Sequence, residues 1–418
     1  MKICRMRALS IFTIVLFTSP MFAGELSAND KTENISAKND TAIPAFTGIS
    51  QNLSIYGMVK VDFIYDFDEP SGDRINYNTI SADDTKAQGQ SRIHARESRI
   101  GAKYLKDING NDFTAFIEGD FYGGGTNSPS GSEKISNGVN FRLRHAYFAY
   151  GDWLVGQTWS NYVDVKSFPE TLDFSNETGQ AFVRQGQIRY QHKVDKFTFS
   201  YSLENPETDV YILEDMFSEG TDFQTIDPIA DFTAKVKFQP SWGHLSLQLV
   251  ARKQKVHIHS DSVSDTGYGV GTSGRINVTA KDTVKFHYSQ GKGIGRYIQE
   301  VAGSSGLVFP STSATEDDLA TLTLLTAEGG YIGYQHRINK SLRVNANAGF
   351  IDIDYSSMNN LALLFARTQS LLSVHSNIIW TVLPNLDIGV EYSTVKLKTV
   401  AGDKGSIKRI QLATTFRF

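Results

Sequence analysis

The chain has 418 residues, 40% of them hydrophobic and 21% charged, with 41 Lys and Arg against 45 Asp and Glu and a single cysteine. Its mean hydropathy is slightly polar, and it has no run of about 20 apolar residues, which excludes a polytopic helical membrane protein. One thiol excludes a disulfide scaffold, and an aromatic share of 11% excludes a disordered chain.

Lys2, Arg5 and Arg7 precede an apolar stretch from Ala8 to Phe17, followed by Ser19-Pro20 and the small residue Ala23. This is the layout of a secretory signal peptide, residues 1–23. The alternative is an uncleaved anchor, but the apolar stretch is too short to cross a bilayer. Cys4 would leave with the signal. Without its three basic residues, the 41 Lys and Arg fall to 38 against 45 acidic groups. That balance argues against a nucleic-acid partner. Residues 24–52 are rich in Asn, Asp, Lys, Ser and Thr and read as a polar arm expected to be mobile.

From residue 53 to 418 the pattern is alternation. Leu53, Ile55, Gly57, Val59, Val61 and Phe63 interleave with Ser54, Tyr56, Met58, Lys60 and Asp62, one set on each face of a strand. The period returns at Phe197 to Leu203, Phe232 to Phe238, Val284 to Tyr288 and Leu342 to Phe350. The last strand sets Ile410, Leu412, Phe416 and Phe418 against Arg409, Gln411, Thr415 and Arg417.

Links alternate in length as well. Seven short ones (107–111, 151–152, 194–195, 240–243, 280–282, 339–340 and 384–385) separate eight long ones (67–91, 124–138, 161–182, 204–228, 259–266, 293–327, 355–369 and 399–407). Together they delimit sixteen strands, an even number with both termini on the short-link side. This predicts an all-β fold, a 16-stranded antiparallel transmembrane β-barrel in the outer membrane of a Gram-negative bacterium. A secreted sandwich or propeller also alternates, but its strands average about five or six residues, and many here reach the length a tilted membrane strand needs. The lumen of so wide a barrel holds water.

Ser98 to Gly101, Arg144 to Gly151, Gly156 to Ser160 and the terminal phenylalanine resemble strands of the Gram-negative trimeric porins. The run from Gly156 through Asp164, Pro169 to Phe174 and Phe182 to Gln185 is more specific and is similar to the DcaP-like porins. That resemblance implies a homotrimer in contact with outer-membrane lipid and lipopolysaccharide, no cofactor, and uptake of small anionic solutes such as dicarboxylates. It also implies that the third extracellular loop, 161–182, folds inward as a constriction loop. Members of that branch can carry an N-terminal coiled coil, and residues 24–52 are too short and polar to form one.

A lipid-facing arginine near the midplane would cost about 2–4 kcal/mol. With Ile100, Ala102 and Tyr104 facing lipid, Arg99 and Lys103 face the lumen. With Phe141, Leu143 and Tyr147 facing out, Arg142 and Arg144 point in. Arg184 and Arg189 stand on the sixth strand, and the third loop carries Asp164, Lys166, Glu170, Asp173 and Glu177. Wall arginines opposite loop carboxylates would set a transverse field that selects solutes by charge. Arg99, Arg144 and Arg184 are the foremost candidates for binding a dicarboxylate, since guanidinium groups grip carboxylates bidentately. The equal alternative is that these arginines pair with the loop and hold it. Glu118 and Asp120 also point inward and are expected to line a solvated wall, with pairing to the arginines as the other reading.

His257 and His259 share a strand face but lack a third metal ligand. Gly123 to Gly125 and Gly291 to Gly293 open no helix and are turn glycines rather than phosphate cradles. An outer-membrane hydrolase would need a nucleophile beside a base, and no spacing suggests one, so no enzyme is expected. An adhesin would need a passenger larger than the short arm.

Overall fold

The computed structural model describes residues 52–418 apart from 78–79, 81–88, 124–137, 259–260, 312–319 and 358–363. The expected signal peptide, nearly all of the polar arm and His259 lie outside the described residues.

Sixteen strands form the barrel: β1 Leu53–Asp66, β2 Arg99–Ile108, β3 Asn111–Gly123, β4 Asn140–Tyr150, β5 Trp153–Trp159, β6 Arg184–Val194, β7 Phe197–Glu204, β8 Asp231–Phe238, β9 Gly243–Ile258, β10 Asp261–Asn277, β11 Asp282–Lys292, β12 Thr326–Arg337, β13 Leu342–Asp354, β14 Thr368–Leu383, β15 Leu386–Thr399 and β16 Lys404–Arg417. Each pairs antiparallel with its successor. β16 returns to β1, with Met58 opposite Arg417 and Asp66 opposite Arg409. Closure leaves no edge, so backbone groups facing lipid are paired. Gln90–His94 extends the sheet beside the outer end of β1, and Phe223–Ile226 beside that of β9. Tyr211–Ile212, Gly306–Pro310 and Ala320–Leu324 form a separate small sheet among the long links.

Turn chemistry closes the short links. Asn109 and Gly110, between β2 and β3, have φ of 58° and 78°. Positive φ at both positions is the type I′ geometry that follows the twist of the strands and suits Asn-Gly. Two links expected to be long are short. β9 and β10 continue to Ile258 and from Asp261, with Ile258 opposite Asp261. Between β15 and β16 only residues 400–403 remain, closed by the Thr399 N–H donating to Asp403 O at 2.9 Å. Polar runs such as Asp261 to Thr266 have loop composition, but beyond the bilayer a hairpin is wetted on both faces and needs no apolar side.

The faces of the wall are reversed relative to a soluble sandwich. In β14, Leu372, Val374, Ile378 and Trp380 are exposed while Ser373, His375 and Asn377 are buried. In β16, Ile410, Leu412 and Phe416 are exposed while Arg409, Gln411 and Thr415 are buried. This is the apolar-out, polar-in wall of a membrane barrel.

Near the long links the inner positions become apolar. Ile351 and Ile353 follow Asn345 and Asn347 in β13, Val395 and Leu397 follow Glu391 and Ser393 in β15, and Ile407 precedes Arg409 in β16. They form one cluster with Ile75, Tyr162, Val163, Ala181, Ile294, Tyr297 and Ile298 from the long links. The barrel therefore has an apolar core at the long-link ends of β12–β16, bounded below by polar side chains.

Candidate functional site

Cationic residues gather on β2 to β6, near their long-link ends. Arg99 opens β2 and stands opposite Asp120 of β3, and Arg142 of β4 stands opposite the same aspartate. Arg142 donates to Asp120 through Nε at 3.0 Å and Nη2 at 2.8 Å. Arg144 donates from Nε to Glu118 at 2.6 Å and from Nη1 to Asp120 at 2.7 Å. Arg99 Nη1 lies 3.9 Å from Glu118. The Tyr56 hydroxyl of β1 also donates to Glu118, at 2.7 Å. Glu118 and Asp120 are buried, which corrects the expectation of a solvated wall. Leaving such carboxylates unpaired would be costly, so the folded chain pairs them with the arginines.

A bulge arranges β4. Glu118 faces His145 and Gly119 faces Leu143, so Arg144 is the extra residue and both Arg144 and His145 are buried. The alternation resets there. Phe148 becomes the exposed residue, while Tyr147 packs on Phe116 with ring centroids 5.3 Å apart. Tyr147 therefore does not face outward, as a strict period of two had suggested.

Arg184, first residue of β6, lies opposite Trp159. Its guanidinium carbon sits 4.2 Å from the Trp159 ring centroid and 5.3 Å from that of Phe182. Among the described residues it has no carboxylate partner, and its Nε is buried without an acceptor. Arg142 lies over Tyr122 and Phe174, at 5.7 and 5.6 Å. Phe168, Phe174, Phe182 and Trp159 touch one another, so the guanidinium groups border an aromatic surface. Arg189 donates to neutral acceptors, Gln187 Oε1 at 2.9 Å and Trp159 O at 2.5 Å. Lys103 is half-buried on β2, opposite Ser54 and Phe116.

The carboxylates of the 161–182 segment do not point at these arginines. They bind side chains on β9, β10, β12, β13, β14 and β16. Asp164 accepts from His244 of β9 at 2.7 Å and Ser273 of β10 at 2.8 Å. Glu170 accepts from Arg343 of β13 at 2.7 and 2.9 Å and from Gln335 of β12 at 2.7 Å. Asp173 accepts from Arg409 of β16 at 2.8 Å, and Glu177 from the Ser373 hydroxyl of β14 at 2.8 Å. Lys166 lies in the 3-10 turn Val165–Ser167. The backbone is clamped too: Leu172 and Asp173 N–H donate to Glu391 at 2.7 and 3.1 Å, while Lys60 Nζ donates to Leu172 O at 2.6 Å.

These partners set the protonation of the segment. Burial alone would raise Asp164, Glu170 and Asp173, but His244, Arg343 and Arg409 respectively outweigh it and hold all three below the usual carboxylate range. Glu177 has weaker support, and burial pushes it up to about 7. Glu300, from the link between β11 and β12, is pushed by burial to about 8 while accepting the Gly179 N–H at 2.9 Å.

Sequence reasoning missed Arg343, Arg409, His244, Glu391 and Lys60 as the anchors of this segment. Arg409 already stood on the polar face of its strand. The available signal was charge on the inner parity of a strand, as with Arg409 beside Gln411 and Thr415.

The chain matches, over residues 23–418, the family model described as DcaP outer membrane protein. It is similar to the outer membrane channel DcaP of Acinetobacter baumannii, at 24% identity over 88% of this chain and 97% of that one, with a TM-score of 0.72. It is also similar to an anion-selective porin from Comamonas acidovorans (11% identity, 88% and 99% covered, TM-score 0.55) and to Salmonella typhi OmpF in complex with daunomycin (11%, 88% and 98%, 0.54). No curated protein matches the sequence. The structural likenesses share the sixteen-strand barrel, and the family match spans nearly all of the chain: it belongs to the DcaP outer membrane protein family and is an outer-membrane porin.

Proposed function

We propose that the protein is a passive channel for small hydrophilic solutes that prefers anions, including dicarboxylates, and that it has no enzymatic role. The observation that carries this reading is the imbalance on β2 to β6. Four guanidinium groups, Arg99, Arg142, Arg144 and Arg184, meet two carboxylates, Glu118 and Asp120, and Arg184 is left unpaired. Guanidinium groups held against aromatic faces keep their charge and their fork of donors free for a carboxylate. In this reading residues 161–182 are the constriction loop, bound to strands between β9 and β16 by Asp164, Glu170, Asp173 and Glu177, and its aromatic side faces the arginines. Selection then comes from fixed positive charge beside an apolar surface, rather than from a field between arginines and loop carboxylates.

Residues 1–23 would direct export, and the working unit would be a homotrimer surrounded by lipid and lipopolysaccharide. The Vibrio cholerae protein OmpT, which shares the fold at 8% identity and a TM-score of 0.50, is described in a trimer form. The test is the reversal potential of the reconstituted protein in a KCl gradient, with and without succinate. Chloride should permeate better than potassium, and succinate should reduce the chloride current. A cation-selective channel would overturn the reading.

A further inference from the structure

A second set of cations lies alongside the 161–182 segment, nearer the short links than the first cluster. Arg275 of β10 and Lys285 of β11 are direct cross-strand partners. Like charges directly opposite each other destabilise a sheet pair unless something negative lies between them. Both share the inner parity of their strands with buried neighbours: Ser273 precedes Arg275 by two residues, and His287 follows Lys285 by two. Arg275 Nε is buried without an acceptor. Lys285 Nζ donates to Phe168 O at 2.7 Å, and Lys235 Nζ of β8 donates to Val163 O at 3.0 Å. Each ammonium group therefore uses one of its three donors on the segment's backbone. Nearby carboxylates are already engaged, Asp164 by His244 and Ser273, Glu170 by Arg343 and Gln335.

The position differs from that of the first cluster. Arg275 lies two residues, and Lys285 three, from the strand ends that flank the short link 278–281, roughly 7 to 10 Å along the strand. Arg99, Arg142, Arg144 and Arg184 lie at the long-link ends of theirs. Short links face the periplasm in barrels of this kind.

We propose that Arg275 and Lys285, flanked by Lys235, form a second anion station that receives a carboxylate group beside the segment, nearer the periplasmic ends of the strands than the first cluster. The inference rests on the anion-channel reading and extends it: a solute released by Arg184 meets a second set of free donors before leaving. Two stations of moderate strength pass an anion more readily than one deep well, because binding must favour entry without preventing exit.

The test is succinate block of single-channel current in planar bilayers, with succinate added to either side of an oriented channel. The Arg275→Gln, Lys285→Gln double variant should weaken block from the short-link side by about tenfold and leave block from the long-link side within about twofold. Arg184→Gln should do the converse. Arg275→Lys with Lys285→Arg keeps the charge and should restore block, which separates the site from a folding defect. An anion-selective wild-type channel whose double variant shows unchanged short-link-side block overturns the second station alone. A wild type without anion preference overturns both readings.

Discussion

Arg184→Gln should lower anion selectivity by an amount that follows from the charges around it. The cluster of Arg99, Arg142, Arg144 and Arg184 with Glu118 and Asp120 carries four positive and two negative charges, a formal excess of two. Removing Arg184 halves that excess without stranding a carboxylate, since it has no acidic partner among the described residues. A unit charge about 5 Å from a passing anion contributes about 0.8 kcal/mol in water-like surroundings. That is about fourfold in the permeability ratio of chloride, and about 15-fold in the occupancy of a dianion. The assay is the reversal potential in a KCl gradient, with succinate block of the chloride current as the second readout. Arg184→Lys keeps the charge but loses the stacking on Trp159 and Phe182, so it should retain most of the chloride preference and lose part of the succinate block. An unchanged reversal potential for Arg184→Gln would refute the charge argument. A lysine variant that falls as far as the glutamine variant would show that packing, not charge, sets selectivity.

Three further outcomes follow from the way the segment is held. Arg409→Met leaves Asp66 and Asp173 buried without their guanidinium, which should cost about 3–5 kcal/mol and appear as a lower unfolding temperature in detergent and noisier open-channel current. Gly349→Ala would set a Cβ 2.2 Å from Thr178 O, so the segment must shift, and single-channel conductance should change without loss of the barrel's β-sheet circular dichroism. Glu177 and Glu300 have pKa values raised by burial to about 7 and about 8. A raised carboxyl favours the folded state at low pH, and that contribution is lost as pH rises from the unfolded value near 4.3 through 7 to 8. Thermal stability should therefore fall between about pH 4 and pH 8, and Glu177→Gln with Glu300→Gln should flatten the fall; an equal slope in wild type and variant would exclude these two groups as its source.

The barrel was legible because one period governs nearly every strand. Leu53 to Phe63 and Ile410 to Phe416 declare an apolar face, and the structure exposes Ile55, Val59 and Phe63 together with Ile410, Leu412 and Phe416. The inward direction of Arg99, Arg142 and Arg144 followed from the cost of the opposite choice. What the period could not carry was a change of parity or partner. The Arg144 bulge needs a count across two strands, 118–119 against 143–145, so Tyr147 was assigned to the wrong face. The pairing of Asp173 with Arg409 joins residues 236 positions apart, and no local pattern links them. Ile351, Ile353, Val395 and Leu397 interrupt the polar inner parity, yet they look like ordinary strand residues until the long links pack against them.

On the proposed reading, the net charge of the chain is a poor guide to its pore. A formal balance of −4 suggests a surface that repels anions, but charge matters to a solute according to whether it is already paired. Asp164, Glu170 and Asp173 are each bonded to a basic side chain, and Glu118 and Asp120 are saturated by Arg142 and Arg144. Arg184, Arg275 and Lys285 have no ion-pair carboxylate among the described residues: Arg184 meets rings, Lys285 a backbone carbonyl, and Arg275 Nε is buried without an acceptor. The apolar core lies at the long-link ends of β12–β16, whereas Arg184 stands on β6. Arg275 and Lys285 stand on β10 and β11, alongside the segment. In the proposed reading the acidic groups position the loop while the unpaired basic groups mark the route, so that a chain with more carboxylates than basic side chains presents positive charge to the solute.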